Sequence, residues 1–158
     1  MKKGTISKVI ILIIGLYQVI GGLYGLLGLI YGIVLKKSEF TFVALVICLV
    51  FGFSIYAGIS LFTGNYTKAA KFTFINQAIQ VLKIKLVGYG YQYVAGSYFA
   101  IGFTDTPNYF AQYKYAIIKG TCLIWLGSDN EITVMINLIP IILIFVVFRL
   151  LHMKTELG

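Results

Sequence analysis

Residues Ile10–Leu35 read IILIIGLYQVIGGLYGLLGLIYGIVL, an apolar run without a charged side chain. The run is longer than the ~20 residues that a helix needs to cross the hydrocarbon core of a bilayer. Residues 36–39 are polar, and a second uncharged run follows from Phe40 to Phe62. Together the two runs predict a transmembrane helical hairpin over residues 1–64.

The composition of the whole chain agrees with a membrane protein. Hydrophobic residues make up 59% of the 158 residues and charged residues only 11%, against roughly 25% charged residues in an ordinary soluble domain. Because so few polar groups cannot cover a water-exposed surface, we expect the lipid bilayer to be a main partner. The net charge of +8 comes from basic residues scattered in ones and twos, which argues against a nucleic acid partner.

The segment after the hairpin, residues 65–82, predicts an amphipathic connecting helix. Apolar residues recur there at helical spacing, namely Ala70, Phe74, Ala78, Val81 and Leu82. Lys68, Lys71, Gln77 and Gln80 then point toward other faces. We expect this helix either to continue the second span or to lie at the membrane surface.

From Lys83 the period of the sequence changes from helical spacing to strict alternation. The alternation places Tyr89, Tyr91 and Tyr93 on one side, and turn signals follow at 95–97, 105–108, 119–120 and 127–130. The pattern predicts a small antiparallel β-meander domain over residues 83–137, with about five strands. The tyrosine face is a candidate ligand-binding or subunit-interface surface, or else an ordinary half-buried sheet face.

The end of the chain, residues 138–158, predicts a short C-terminal transmembrane helix. Leu138–Met153 is apolar apart from Arg149 and His152, Asn137 is a candidate cap, and Pro140 then falls in the first turn. In an alternative four-helix transmembrane protein, Leu86–Phe103 also crosses as a helix. Counting basic residues gives nine of thirteen on the inner side in both topologies, so both predict a multi-pass protein of the cytoplasmic (inner) membrane with its N-terminus in the cytoplasm. The alternation of residues 83–93 favours the β domain.

A face of small residues is the clearest association signal. Gly21, Gly25, Gly28 and Gly32 are spaced alternately by four and three residues, so they share one face of the first span. Small residues at this spacing allow close backbone approach between helices in lipid. The face is a candidate packing seam, either with a second copy of the chain or with the second span. Gln18 is the most polar residue of the two spans.

No motif in the sequence indicates catalysis. The lone histidine, His152, is near the C-terminus, and the five acidic residues are spread over connections. We therefore expect no catalytic, cofactor or metal site and no enzyme. The leading hypothesis is a bacterial-type membrane subunit that forms a homo-oligomer, or joins a membrane complex, for assembly or pore formation.

Two other hypotheses remain open from the sequence. One is a four-span carrier of lipids or small molecules. The other is a ligand-gated membrane effector whose β domain senses a small molecule. Its layout of two helices followed by a small antiparallel β domain resembles some bacterial anti-phage effectors, in which a β-barrel senses a cyclic nucleotide. The apolar C-terminal segment departs from that layout.

Overall fold

The computed structural model describes residues 3–35, 42–63, 66–105, 110–126 and 132–155. The described helices are α1 (Lys3–Leu35), α2 (Phe42–Ser60), α3 (Tyr66–Ala78) and α4 (Leu138–Thr155). The described strands are β1 (Leu82–Leu86), β2 (Tyr89–Asp105), β3 (Phe110–Leu126) and β4 (Ile132–Asn137). The expected helical hairpin and the expected antiparallel sheet are therefore both present.

Helices α1 and α2 approach each other most closely at glycines that do not belong to the predicted seam. A Cβ added to Gly58 would lie 2.6 Å from the Gly15 carbonyl oxygen, and one added to Gly22 would lie 2.9 Å from the Phe51 carbonyl oxygen. The two backbones approach this closely because neither glycine has a side chain. Residues 8–34 of α1 and Phe42–Ser60 of α2 are long and apolar enough to cross a membrane, by length and composition.

The four strands form one antiparallel sheet with the order β1-β4-β2-β3, and β1 also pairs with β2. The expected meander of about five strands is wrong, because β4 lies between β1 and β2, and because β2 and β3 are each continuous over 17 residues. The three strands β1, β2 and β4 all pair antiparallel with one another, and three straight strands cannot satisfy all of these pairings. The sheet satisfies them because β2 pairs with β1 through residues 89–92 and with β4 through residues 100–105.

The bend that separates these two halves of β2 lies at Gly96. This glycine has φ +124°, and the register with β3 shifts between Gly96 and Tyr98. The sequence signals at 95–97 and 119–120 therefore mark positions inside long strands and not turns, since a glycine can serve a bend or bulge as well as a reversal. The reversal between β1 and β2 is instead a two-residue loop at Val87 and Gly88.

The alternative in which Leu86–Phe103 is a transmembrane helix is wrong, since β2 occupies most of that range. Alternating tyrosines and glycines suit a pleated strand better than a helix. The expected polar connection at 36–39, the helix stop at Gly64 and Asn65, and most of the turns expected at 105–108 and 127–130 lie outside the described residues.

Helix α4 begins where the sequence predicts. The Ile139 amide donates to Asn137 Oδ1 (3.3 Å), so Asn137 caps the helix. The apolar part of α4, Leu138–Arg149, is shorter than the two candidate spans. Its end packs beside the beginning of α1, where Val147 joins a cluster with Ile14 and Ala70. The helix therefore returns to the end of the molecule at which α1 starts.

Candidate functional site

Several polar side chains are buried between α1, α2, α3 and β2, whereas much of the outer surface of the same helices is apolar. Six amide and hydroxyl side chains are 0–1% exposed, namely Gln18, Ser54, Thr73, Asn76, Gln77 and Gln80. On α3 itself, Phe74 is 43% and Ile75 48% exposed. Gln77 and Gln80 face the interior, whereas Phe74 and Ala78 face outward.

Asn76 is the centre of this buried polar network. Its Nδ2 donates to Gln18 Oε1 (2.9 Å) on α1 and to Ser54 Oγ (3.2 Å) on α2. Gln18 Nε2 in turn donates to Thr73 Oγ1 (3.2 Å), and the Ser54 hydroxyl donates to the Gln18 carbonyl oxygen (3.1 Å). Burial of these amides is tolerated because each is paired across a helix interface. The network fixes α1, α2 and α3 in one register.

The same network continues into the sheet through Gln80. Gln80 Nε2 donates to the Asn76 carbonyl oxygen (3.1 Å), and Gln80 Oε1 accepts a hydrogen bond from the Ala95 amide (2.8 Å). A second link comes from α1, where the Tyr17 hydroxyl donates to the Ser97 carbonyl oxygen (3.2 Å). Both links meet β2 beside its bend at Gly96, so the helices hold the bent strand at that point.

The candidate tyrosine face is divided between the interior and the surface. Tyr89 is 67% exposed, Tyr91 is half-buried and Tyr93 is 0% exposed. The Tyr91 hydroxyl donates to the Ile79 carbonyl oxygen (2.7 Å). The Tyr93 hydroxyl lies 3.2 Å from the Val50 carbonyl oxygen and 3.3 Å from Asn76 Oδ1, and it donates to one of them at a time. Tyr93 therefore belongs to the polar network.

Burial keeps these phenols neutral. Desolvation, with a smaller contribution from Cys122, raises the pKa of Tyr91 to about 12. Desolvation also raises the pKa of Tyr93, against a hydrogen bond with Ser54 that lowers it. Within the described residues, no three His, Cys, Asp or Glu side chains come together. The network consists of neutral donors and acceptors, which suit it to holding geometry.

The predicted glycine face of α1 is covered at one end and open at the other. Gly21 lies against the backbone of Ala95 and Gly96 on β2. Gly25 lies against the Phe51 ring, and a Cβ added to Gly120 of β3 would be 2.5 Å from the Gly25 Cα. A Cβ added to Gly28 or Gly32 would meet no atom of the described residues within 4 Å. The chain therefore covers its own glycine face at Gly21 and Gly25, and it leaves the face open at Gly28 and Gly32.

Gln77 is the polar residue that the network leaves out. It is 0% exposed, and neither its Nε2 nor its Oε1 has a hydrogen-bond partner among the described residues. Gln92 Nε2 and Asn137 Nδ2 are also buried without a partner. The sequence singled out Gln18 but offered no signal for its side-chain partners, because Thr73 and Asn76 are ordinary polar residues of a helix until the fold turns them inward.

Comparison of the chain with protein-family models, with curated proteins and with solved structures gives no match.

Proposed function

We propose that the chain is an integral membrane protein that crosses the cytoplasmic (inner) membrane with α1 and α2. The single observation that carries this proposal is the inverted burial of the helices. A water-soluble protein hides side chains such as Leu27 and Leu49 and exposes an amide such as Gln18, whereas here Leu27 and Leu49 are each 65% exposed and Gln18 is 0% exposed. Lipid gives exposed apolar side chains a favourable environment, and it forces polar groups to pair inside the protein.

The distribution of charge supports a cytoplasmic N-terminus. The start of α1, the start of α3 and the end of α4 lie together, because Ile14, Ala69, Ala70 and Val147 form one cluster. This end of the molecule, here termed the basic end, carries Lys8, Lys68, Lys71 and Arg149. Basic residues beside spans favour the cytoplasmic side of the membrane.

The role we propose is non-enzymatic: the chain is an assembly or pore-forming subunit of a homo-oligomer. The open half of the glycine face supports association, because Gly28 and Gly32 offer close approach to a neighbouring helix and none of the described residues occupies the space. Side chains and hydrogen bonds fill the interior of a single copy between α1, α2 and α3. Any conducting path therefore has to form between copies.

The test is the mass of the purified protein in nanodiscs, for wild type and for Gly28→Ile with Gly32→Ile. Because a Cβ at either position lies more than 4 Å from the described residues around it, we expect these substitutions to preserve the fold and to block a partner. The control is Ile30→Phe with Val34→Phe, which adds bulk to exposed positions elsewhere around the same turns of α1.

We expect a discrete oligomer for wild type and for the control, and a monomer for the glycine variant. A wild-type monomer rules out the homo-oligomer, and an oligomer that survives the glycine substitutions removes the glycine face as its seam.

A further inference from the structure

An apolar groove runs between α3 and α4 on the outside of the molecule. It has a volume of about 370 Å³, within the ~300–1,000 Å³ range of small-molecule sites. Its walls are formed by Ala70, Phe74 and Ile75 of α3 and by Ile144 and Phe148 of α4. The Phe74 and Phe148 rings meet edge to face, with centroids 5.8 Å apart. The groove is thus bounded by side chains that already have a fixed arrangement.

Among the described residues, Lys71 is the one charged side chain that lines this groove. Lys71 is exposed and projects beside the apolar walls. It lies midway along the α3 wall, four residues after Thr67, the first lining residue of α3, and four residues before Ile75, the last. From Thr67 to Ile75 the helix rises about 12 Å at 1.5 Å per residue. On α3, the half of the groove toward the basic end therefore carries Thr67 and Lys71, and the other half carries Phe74 and Ile75.

We propose that this groove binds one anionic phospholipid, with an acyl chain along the apolar walls and the headgroup phosphate on the Lys71 ammonium. An amphiphile with an anion at one end and a hydrocarbon chain behind it matches the site in both charge and direction. The orientation also fits the cytoplasmic leaflet, because the headgroup then lies at the basic end, where anionic lipids attract lysine. This inference rests on the proposed membrane location.

The experiment is native mass spectrometry of the full chain released from detergent, with added phosphatidylglycerol or with phosphatidylcholine of identical acyl chains. Lys71→Gln removes the cation, and Ile75→Trp places bulk over the groove at a position that is already exposed. Lys114→Gln, on an exposed residue of β3, is the control for the same loss of charge.

We expect one phosphatidylglycerol per chain for wild type and for Lys114→Gln. Lys71→Gln is expected to weaken phosphatidylglycerol binding about fivefold, the effect of one lysine near an anionic surface, without changing phosphatidylcholine. Ile75→Trp is expected to reduce the binding of both lipids. Equal losses for Lys71→Gln and Lys114→Gln overturn the proposal, as does the absence of a one-to-one lipid adduct.

Failure of this inference is distinguishable from failure of the proposed function. In a detergent phase separation, a chain that stays in the aqueous phase overturns the membrane location itself. A chain that enters the detergent phase and then shows no preference for phosphatidylglycerol overturns only the groove.

Discussion

Asn76 holds together three elements at the scale of a single side chain. One amide satisfies Gln18 and Ser54 as a donor and is an acceptor within reach of Tyr93. A buried hydrogen bond has a modest net value, but removal of one partner leaves the other buried and unpaired, which costs about 1–3 kcal/mol. Gln77, the next residue on α3, has no such partners. The two neighbours therefore differ in what their side chains contribute to stability.

The first prediction compares these two residues. We expect Asn76→Leu to lower the free energy of unfolding by about 1–3 kcal/mol, since it leaves Gln18 Oε1 without its donor. We expect Gln77→Met, of similar shape, to be neutral or stabilising, since it removes two polar atoms that have no partner. Thermal unfolding of the purified variants in one detergent measures both. Equal destabilisation by the two substitutions contradicts the network.

The second prediction concerns Cys122, which lies in the cluster of Phe51, Tyr93 and Ala95 where the sheet meets the hairpin. Burial raises the pKa of the Cys122 thiol to about 11, and the thiolate is the reactive form. In a Cys48→Ser background we expect slow maleimide labelling near neutral pH, with a rate that rises as the pH approaches that pKa.

Gly21→Val is the variant that tests whether docking of the sheet protects the thiol. A valine there meets the backbone of Ala95 and Gly96, so we expect β2 to move away and labelling of Cys122 to become fast near neutral pH. The denatured wild type gives the upper limit of the rate. Fast labelling of the folded wild type near neutral pH contradicts the docking.

The single residues that matter were only partly predictable from the sequence. Gln18 is visible as a polar side chain within an apolar run, because any polar group there needs a partner. Asn76 and Gln80 are not visible, because a helix with polar and apolar faces does not reveal which face is turned inward.

At the scale of elements, the contact between α1 and the bent strand β2 organises the molecule. The Tyr17 ring lies against Gly96, where a Cβ would be 2.7 Å from the Tyr17 hydroxyl oxygen. Gly96 also has φ +124°, a conformation that favours glycine. The sequence pattern predicted a turn at this position. Local signals indicate a break there, but they do not distinguish a bend in one strand from a reversal between two strands.

The third prediction follows from that contact. We expect Gly96→Ala to lower the free energy of unfolding by about 1–3 kcal/mol, because the alanine is strained at this φ and meets the Tyr17 ring. Gly52→Ala is the matched control within α2, where an added Cβ meets nothing. Alanine favours a helix over glycine by about 1 kcal/mol, so the control is expected to be neutral or stabilising. If Gly96→Ala leaves the free energy of unfolding unchanged, that result contradicts the bend at Gly96.

The elements themselves were more predictable than their arrangement. Long apolar runs locate α1 and α2, and strict alternation locates the sheet, since each depends on local periodicity. The insertion of β4 between β1 and β2 depends on contacts between residues far apart in the chain, such as Lys83 with Met135. Such pairings have no local signature, so the strand order could not be derived from the sequence.

At the scale of the whole molecule, the direction of α4 separates the structure from the sequence-based topology. A third span would carry Arg149 to the face of the membrane opposite the N-terminus. In the structure the end of α4 lies beside the start of α1, within the cluster that joins Val147 to Ile14. Arg149 and Lys8 therefore belong to one end of the molecule, and the far end of the hairpin contains the end of α1 and the start of α2.

The fourth prediction tests this arrangement with cysteines introduced one at a time into a variant without Cys48 and Cys122. We expect Lys8→Cys and Arg149→Cys to resist a membrane-impermeant maleimide in intact cells and to react after permeabilisation, because both lie at the basic end. Phe42→Cys, at the exposed start of α2, is expected to react in intact cells. If Arg149→Cys reacts from outside while Lys8→Cys does not, α4 crosses the membrane, and its packing against α1 is wrong.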